Sequence, residues 1–259
     1  MTPDKDHFAG GRAYTRWTTP VGQFLVRWVR ALASWIGPRW AMLLILVVGV
    51  GIAVSLALAS AEVYEAVAET DGIAVLDQPA LDASVQLRHP VVVALASGFT
   101  FLGGPIVMPL LTVTAIAALC FRRRSVTPLI LVAVAAMGSL LMTVLGKNAI
   151  GRLRPPLEFA VPPYESSPSF PSGHTLNAMV ISGIIAYLLV LGAHRKRSRA
   201  LIIASALVFT FLMAATRVYL GHHWVTDVVV AATLGLGWLA VVITTHRLWL
   251  TISDRREPI

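Results

Sequence analysis

Polar residues along this chain gather in short clusters, and between them run stretches of about twenty residues in which nearly every position is apolar. Six such stretches stand out. The first, "WAMLLILVVGVGIAVSLALASA" at 40–61, has 22 residues; at about 1.5 Å per residue it crosses a hydrocarbon core of about 30 Å. Its 39-residue, arginine-rich lead predicts a retained anchor rather than a cleaved signal peptide. The second, Val91 to Phe121, is too long for one upright helix, and Gly103-Gly104-Pro105 marks where it should bend or break. The others cover about 128–146, 175–193, 200–216 and 228–246. The pattern predicts an all-α, polytopic membrane protein with six transmembrane helices. Ahead of them, "VGQFLVRWVRALASWI" at 21–36 puts Phe24, Trp28, Leu32 and Trp35 near one helical face with Arg27 and Arg30 off it, which suits an amphipathic helix lying in the membrane interface. The expected organisation is a tail with an interfacial helix at 1–39, a six-helix domain at 40–247 and a C-terminal tail at 248–259.

Composition agrees: 56% hydrophobic and 13% charged residues, with a mean hydropathy of +0.74, exclude a soluble surface. Lysine and arginine placement then sets orientation, because cytoplasmic loops hold the excess of positive charge. Sixteen of the 21 fall on one side: the N-terminal tail, "RRR" at 122–124, "RKRSR" at 195–199 and the C-terminal tail. Both termini are therefore expected in the cytoplasm, with loops 62–90, 147–174 and 217–227 facing outward. The net charge of +8 follows from this membrane asymmetry and calls for no nucleic-acid partner. Cys120 is the sole cysteine, which rules out a disulfide framework.

The five remaining cations are Arg88, Lys147, Arg152, Arg154 and Arg217, and four of them lie in two outward loops. "KNAIGRLRPP" puts Lys147 and Arg154 at the end of the third helix, and "TRVYLGHHWVTD" puts Arg217 at the end of the fifth and Asp227 at the start of the sixth. Three cations at one membrane depth repel one another unless they share an anion. Between them, "PSGH" at 171–174 opens the fourth helix: Pro171 suits a first turn, Gly173 permits close approach of the backbone, and the N–H groups of 172–174 stand at the positive end of the helix dipole. That mouth suits a phosphate.

The residues Lys147, Arg154 and Pro155, then Pro171-Ser172-Gly173-His174, then Thr216, Arg217, His223 and Asp227 resemble, in order and spacing, the three signature motifs of the type-2 phosphatidic acid phosphatase superfamily. The third motif usually opens with serine, and here Thr216 keeps the hydroxyl. The resemblance implies that His223 attacks phosphorus and carries a phosphohistidine while Asp227 holds its tautomer. It implies that His174 protonates the leaving group, and that Lys147, Arg154, Ser172, Gly173 and Arg217 bind the phosphoryl oxygens. It further implies a lipid phosphate or diphosphate as substrate (undecaprenyl diphosphate, phosphatidylglycerophosphate or phosphatidic acid) and no cofactor, while the placement of basic residues puts the active site at the outer face of the cell membrane. No HExxH or aspartate-rich pair argues for a metal. Transfer to an acceptor other than water would use the same site, and a silent lipid-binding relative would keep the fold. A transporter would be expected to carry an inverted repeat or broken helices at the bilayer midplane, whereas here the charges lie at helix ends.

Other residues read more plainly. His89, His194 and His246 are expected to be solvated at the interface. His222 adjoins His223, but the family spacing selects His223. Arg152 lies off the fixed positions of the first motif and is expected to be solvated or to meet headgroups. Glu62, Glu65 and Glu69 recur at helical spacing and suit a solvated face.

Overall fold

The computed structural model describes residues 8–9, 12–13, 17, 19–49, 51 and 73–253. Apart from a two-residue antiparallel pairing of Phe8–Ala9 with Arg12–Ala13, the described chain is helical: α1 Pro20–Ile36, α2 Pro38–Gly49, α3 Asp77–Gln86, α4 Pro90–Thr100, α5 Val107–Arg123, α6 Thr127–Ile150, α7 Gly173–Leu191, α8 Lys196–Tyr219 and α9 Val225–Ser253. Helices α6 to α9 are each long and apolar enough to cross a membrane, and α4 with α5 passes the same test only as a pair, bent at its junction, as a broken span or a re-entrant loop. Of the first expected span, only α2 and residue 51 are described; Glu62, Glu65 and Glu69 lie outside the described residues.

The break falls where the glycines and proline foretell it. Helix α4 tightens into a 3₁₀ turn at Phe101–Gly103, and α5 leaves at 53° to it. Proline cannot continue the hydrogen-bond ladder. The Met213 side chain also packs so closely on Gly103 that a Cβ there would sit 2.7 Å from its Cε.

Helix α7 is the central post: 56% of its membrane-crossing stretch is buried against 17% for α8. Its Leu176, Val180, Ile184 and Leu188 recur every fourth residue and are buried with Val132, Ala135, Ala231 and Trp238 of α6 and α9. The Trp238 indole stacks where Gly138 has no side chain and donates to Ala135 O at 3.0 Å, so the largest side chain of the core leaves no polar atom unpaired. Cross-helix pairs fix directions. Ser139 meets Asn177 while Thr143 meets Gly173, and Ser182 meets Ala206 while His174 and Arg217 share Glu165, so α7 is antiparallel to α6 and α8; Gly183 meets Leu239 and Tyr187 meets His246, so α7 and α9 are parallel. The C-terminal ends of α6 and α8 and the N-terminal ends of α7 and α9 therefore meet at one end of the bundle.

Helix α9 has 29 residues, about 43 Å at 1.5 Å each, and its last turns outrun the hydrocarbon core. There Leu248 packs with Val26 and Val29 of α1, and Trp17 Nε1 donates to Thr251 Oγ1 at 3.0 Å. Helix α1 thus sits at the end of the bundle opposite the α9 N-terminus, with Phe24, Trp28 and Trp35 exposed, an arrangement suited to a bilayer surface. His89 and His194 are exposed as expected. His246 is not: it is buried, and its Nδ1 pairs with Tyr187 Oη at 2.7 Å, because α9 continues past the expected interface.

Candidate active site

Two close approaches assemble the site end. Gly146 lets Pro171 pack where a Cβ would come within 2.7 Å of its Cδ, so the end of α6 lies against the start of α7. Gly221, at φ +72°, turns the chain out of α8 where a Cβ would strike Phe159 O; only glycine adopts this geometry freely. Arg88 reinforces the junction by donating to Phe159 O and to Tyr219 O.

The structure brings Lys147, Arg154, His174, Arg217, His223 and Asp227 into one cluster. The anion that the cations share is supplied by the chain itself. Glu165, from the loop before α7, accepts from Arg154 Nη2 at 2.7 Å and from Arg217 Nη2, and lies 4.0 Å from His174 Nδ1. Burial tends to raise the Glu165 pKa, but Arg217 and then Arg154 bring it down to about 2, so it is ionised at neutral pH. Lys147 Nζ donates to Ser167 Oγ at 3.1 Å and to Pro168 O, and Arg154 Nε donates to Ser167 O at 2.7 Å. Arg217 is almost wholly buried; its Nη1 meets Thr100 Oγ1 at 3.2 Å at the helix break, while its Nε has no partner. A buried donor left open within a cation cluster is a site for a ligand oxygen.

The neighbours of His223 assign its tautomer. Its Nε2 lies 3.3 Å from Arg154 Nη1, which can only donate, so Nε2 carries a lone pair. The proton is therefore on Nδ1, which faces Asp227 Oδ2 at 3.3 Å and Ser169 Oγ at 3.3 Å. Burial, then Arg217 and Arg154, push its pKa down to about 4 against the pull of Asp227. Near pH 7 it is a neutral imidazole, a competent nucleophile. Asp227 is held on both oxygens: Oδ2 accepts from Ser169 Oγ at 2.5 Å and Trp224 N at 3.0 Å, and Oδ1 from Arg152 Nη1 at 2.5 Å.

The helix ends around the site differ from expectation in three details. Pro171 precedes the cap rather than entering the first turn. Ser172 is the N-cap; its Oγ faces Thr175 N–H at 3.5 Å, and its own N–H donates to Asp227 O at 3.3 Å. The outward N–H groups are thus those of Gly173 and His174. Thr216 turns its hydroxyl back on Met213 O at 2.8 Å. His222 points its ring at Val161 O, 2.6 Å from Nε2, and its carbonyl accepts from Arg154. Arg152 overturns its expectation: the side chain is 10% exposed and ion-paired to Asp77 and Asp227.

From this cluster an apolar cavity of about 500 Å³ extends to the α4–α5 break, walled by Ser97, Phe101, Ile106, Val107, Tyr164 and Leu220, with Glu165, His174 and Arg217 at its polar end. Among the described residues no group of three or more His, Cys, Asp or Glu is placed to hold a metal ion.

A sequence model of the PAP2 superfamily matches residues 127–250. Phosphatidylglycerophosphatase B of Bacillus subtilis (strain 168) is 36% identical over 180 residues, which cover 67% of this chain and 85% of that protein. Among solved structures, a transmembrane PAP2-type phosphatidylglycerolphosphate phosphatase from Bacillus subtilis matches with a TM-score of 0.65 at 29% identity, over 79% of this chain and 98% of that one.

Proposed function

Because the chain belongs to the PAP2 superfamily, we propose that it is a lipid phosphate phosphatase, acting on a lipid phosphate or diphosphate at the outer face of the cell membrane through a phosphohistidine on His223. The observation that carries this is Nε2 of His223, placed 3.3 Å from the donor Arg154 Nη1 beside a cluster of three cationic side chains with an open donor at Arg217 Nε. A phosphoryl group entering there takes over the two arginines held by Glu165, and its oxygens meet Lys147, Arg154, Arg217 and the N–H groups of Gly173 and His174. Fixed cations aimed at charge that grows in the transition state are what phosphoryl transfer needs. His223 attacks phosphorus, Asp227 steadies the imidazolium that forms, His174 protonates the departing oxygen, and water then releases phosphate. Ser172, committed to its cap, shapes the mouth.

The cavity supports a lipid substrate: its walls are apolar, it lies in a bundle that spans a membrane, and it ends at the cations. A headgroup can bind while the acyl chains remain in the bilayer. Phosphatidylglycerophosphate is the first substrate to test, since both relatives carry it in their names; undecaprenyl diphosphate and phosphatidic acid complete the panel.

Purified protein is expected to release phosphate from at least one of these lipids in excess chelator, because side chains supply the neutralising charge. Loss of activity with chelator and its return with magnesium would count against the mechanism. Orthovanadate is expected to inhibit as a trigonal-bipyramidal mimic. Glu165→Gln, which removes the competing charge, should tighten that inhibition about tenfold, equivalent to about 1.4 kcal/mol; weaker inhibition would mean that Glu165 positions the arginines for the substrate instead.

The outward orientation rests on the basic residues, and it is checked by labelling. In a Cys120→Ala background, Leu153→Cys at the site end should react with an impermeant thiol reagent in intact cells, while Arg197→Cys should react only after permeabilisation. The opposite pattern places the site in the cytoplasm.

A further inference from the structure

Behind the Asp227 carboxylate stands a second carboxylate from a distant part of the chain. Asp77 is the first residue of α3 and is buried. Its Oδ1 accepts from Thr226 N at 2.9 Å and its Oδ2 from Thr226 Oγ1 at 2.7 Å, so it caps the start of α9 in place of a local residue. Arg152 fills the gap between the two acids. Its Nη2 donates to Asp77 Oδ2 at 2.7 Å, its Nη1 to Asp227 Oδ1 at 2.5 Å and to Thr226 Oγ1 at 2.7 Å, and its guanidinium carbon lies 5.5 Å from the centre of the Trp224 ring.

We propose that Asp77 and Arg152 are positioning residues for the nucleophile, an inference that rests on His223 being that nucleophile. The fork of Arg152 fixes Asp227 Oδ1, which leaves Oδ2 as the oxygen presented to His223 Nδ1–H. An arginine alone would neutralise Asp227 and weaken its support of the imidazolium. Asp77 supplies the second negative charge, so the trio Asp77, Arg152 and Asp227 keeps a net charge of −1 next to His223. The start of α9 adds its positive dipole end to both acids. Lysine cannot replace arginine here, because one ammonium cannot span two carboxylates in a fixed plane.

The test compares Arg152→Met, Arg152→Lys and Asp77→Asn with the parent protein in detergent, on a nitrophenyl phosphate and on the preferred lipid, at matched amounts of folded protein. Misplacing a reacting group by an ångström costs on the order of 10² in rate, so kcat of Arg152→Met should fall by about that factor. KM and inhibition by inorganic phosphate should stay within about threefold, since neither needs a bond to His223. Vanadate inhibition should weaken in step with kcat, because the vanadium must bond Nε2. Arg152→Lys should recover less than tenfold. The double variant with Asp77→Asn should be no worse than Arg152→Met alone, as expected for residues acting as one unit.

Full kcat in folded Arg152→Met overturns the proposal. So does a parallel loss of phosphate inhibition, which would make Arg152 a phosphate ligand, or a loss that vanishes once the folded fraction is matched, which would make the trio a structural staple. Should Arg152→Met not fold, Asp77→Asn carries the test, with a fall in kcat of about five- to tenfold at unchanged phosphate inhibition. Activity retained in His223→Ala would overturn the underlying reading and this proposal with it, whereas a dead His223→Ala beside a fully active Arg152→Met overturns the proposal alone.

Discussion

His223→Ala is expected to fall to background phosphate release on every substrate, whatever its leaving group. The reason is that, in the proposed mechanism, Nε2 forms the bond to phosphorus, and no other described side chain in the cluster pairs a ring lone pair with a carboxylate on its opposite nitrogen. Asp227→Asn keeps the shape but changes the pairing. An amide can donate to Nδ1 and so turn the imidazole to the tautomer with its proton on Nε2, where no attack is possible. A loss on the order of 10⁴ is expected, the size seen when an aspartate that sets a histidine tautomer is made an amide. Single-turnover phosphate release at matched folded protein measures both. Trapping of an acid-labile, base-stable phosphoenzyme in the parent, absent from His223→Ala, identifies the covalent step. His222→Ala, which loses one hydrogen bond to Val161, should stay within about tenfold; if it alone were dead, the third motif would be misaligned by one residue.

Much of this site is legible in the amino-acid sequence, because helix ends have a chemistry of their own. An apolar run states its length, its neighbours state the turn, and alternating helices must return their ends to the same two surfaces. Lys147, Arg154, His174, Arg217, His223 and Asp227 meet for that reason. The bend at Gly103-Gly104-Pro105 is legible too, since proline and glycine act locally. What escapes is set by the paths of loops, which carry no periodicity. Glu165 takes its place between two arginines because the segment before α7 folds back over the cluster, and nothing in "PPYESSPSF" states that direction. Its only signal is that it is one of two carboxylates, with Glu158, in a loop beside three cations that need an anion. Asp77 and Arg152 are harder still: they are 75 residues apart, and Asp77 meets Thr226 across 149. Burial, rather than residue type, separates Arg152 from an ordinary interfacial arginine, and the same holds for His246, whose partner Tyr187 lies on another helix.

His174→Ala, in contrast with His223→Ala, is expected to be as damaging as its substrate's leaving group is poor. His174 stands at the start of α7 and at the polar end of the apolar cavity, beside Glu165 and Arg217, whereas His223 is not among the residues that wall that cavity. In the proposed mechanism a lipid held there would present its ester oxygen toward His174, with phosphorus between that oxygen and His223, the order that in-line displacement requires. A lipid alkoxide leaves as a strong base and needs a proton in the transition state, so removing the acid should cost on the order of 10²–10⁴ in kcat. A nitrophenolate departs as the anion and needs none, so the same variant should come within about tenfold of the parent on a nitrophenyl phosphate. Asp227→Asn should show no such recovery, because its defect precedes bond cleavage to either leaving group. The measurement is the ratio of kcat on the two substrates for each variant. Equal losses for His174→Ala on both would assign it to phosphate binding, and rescue of His223→Ala by the better leaving group would exchange the roles of the two histidines.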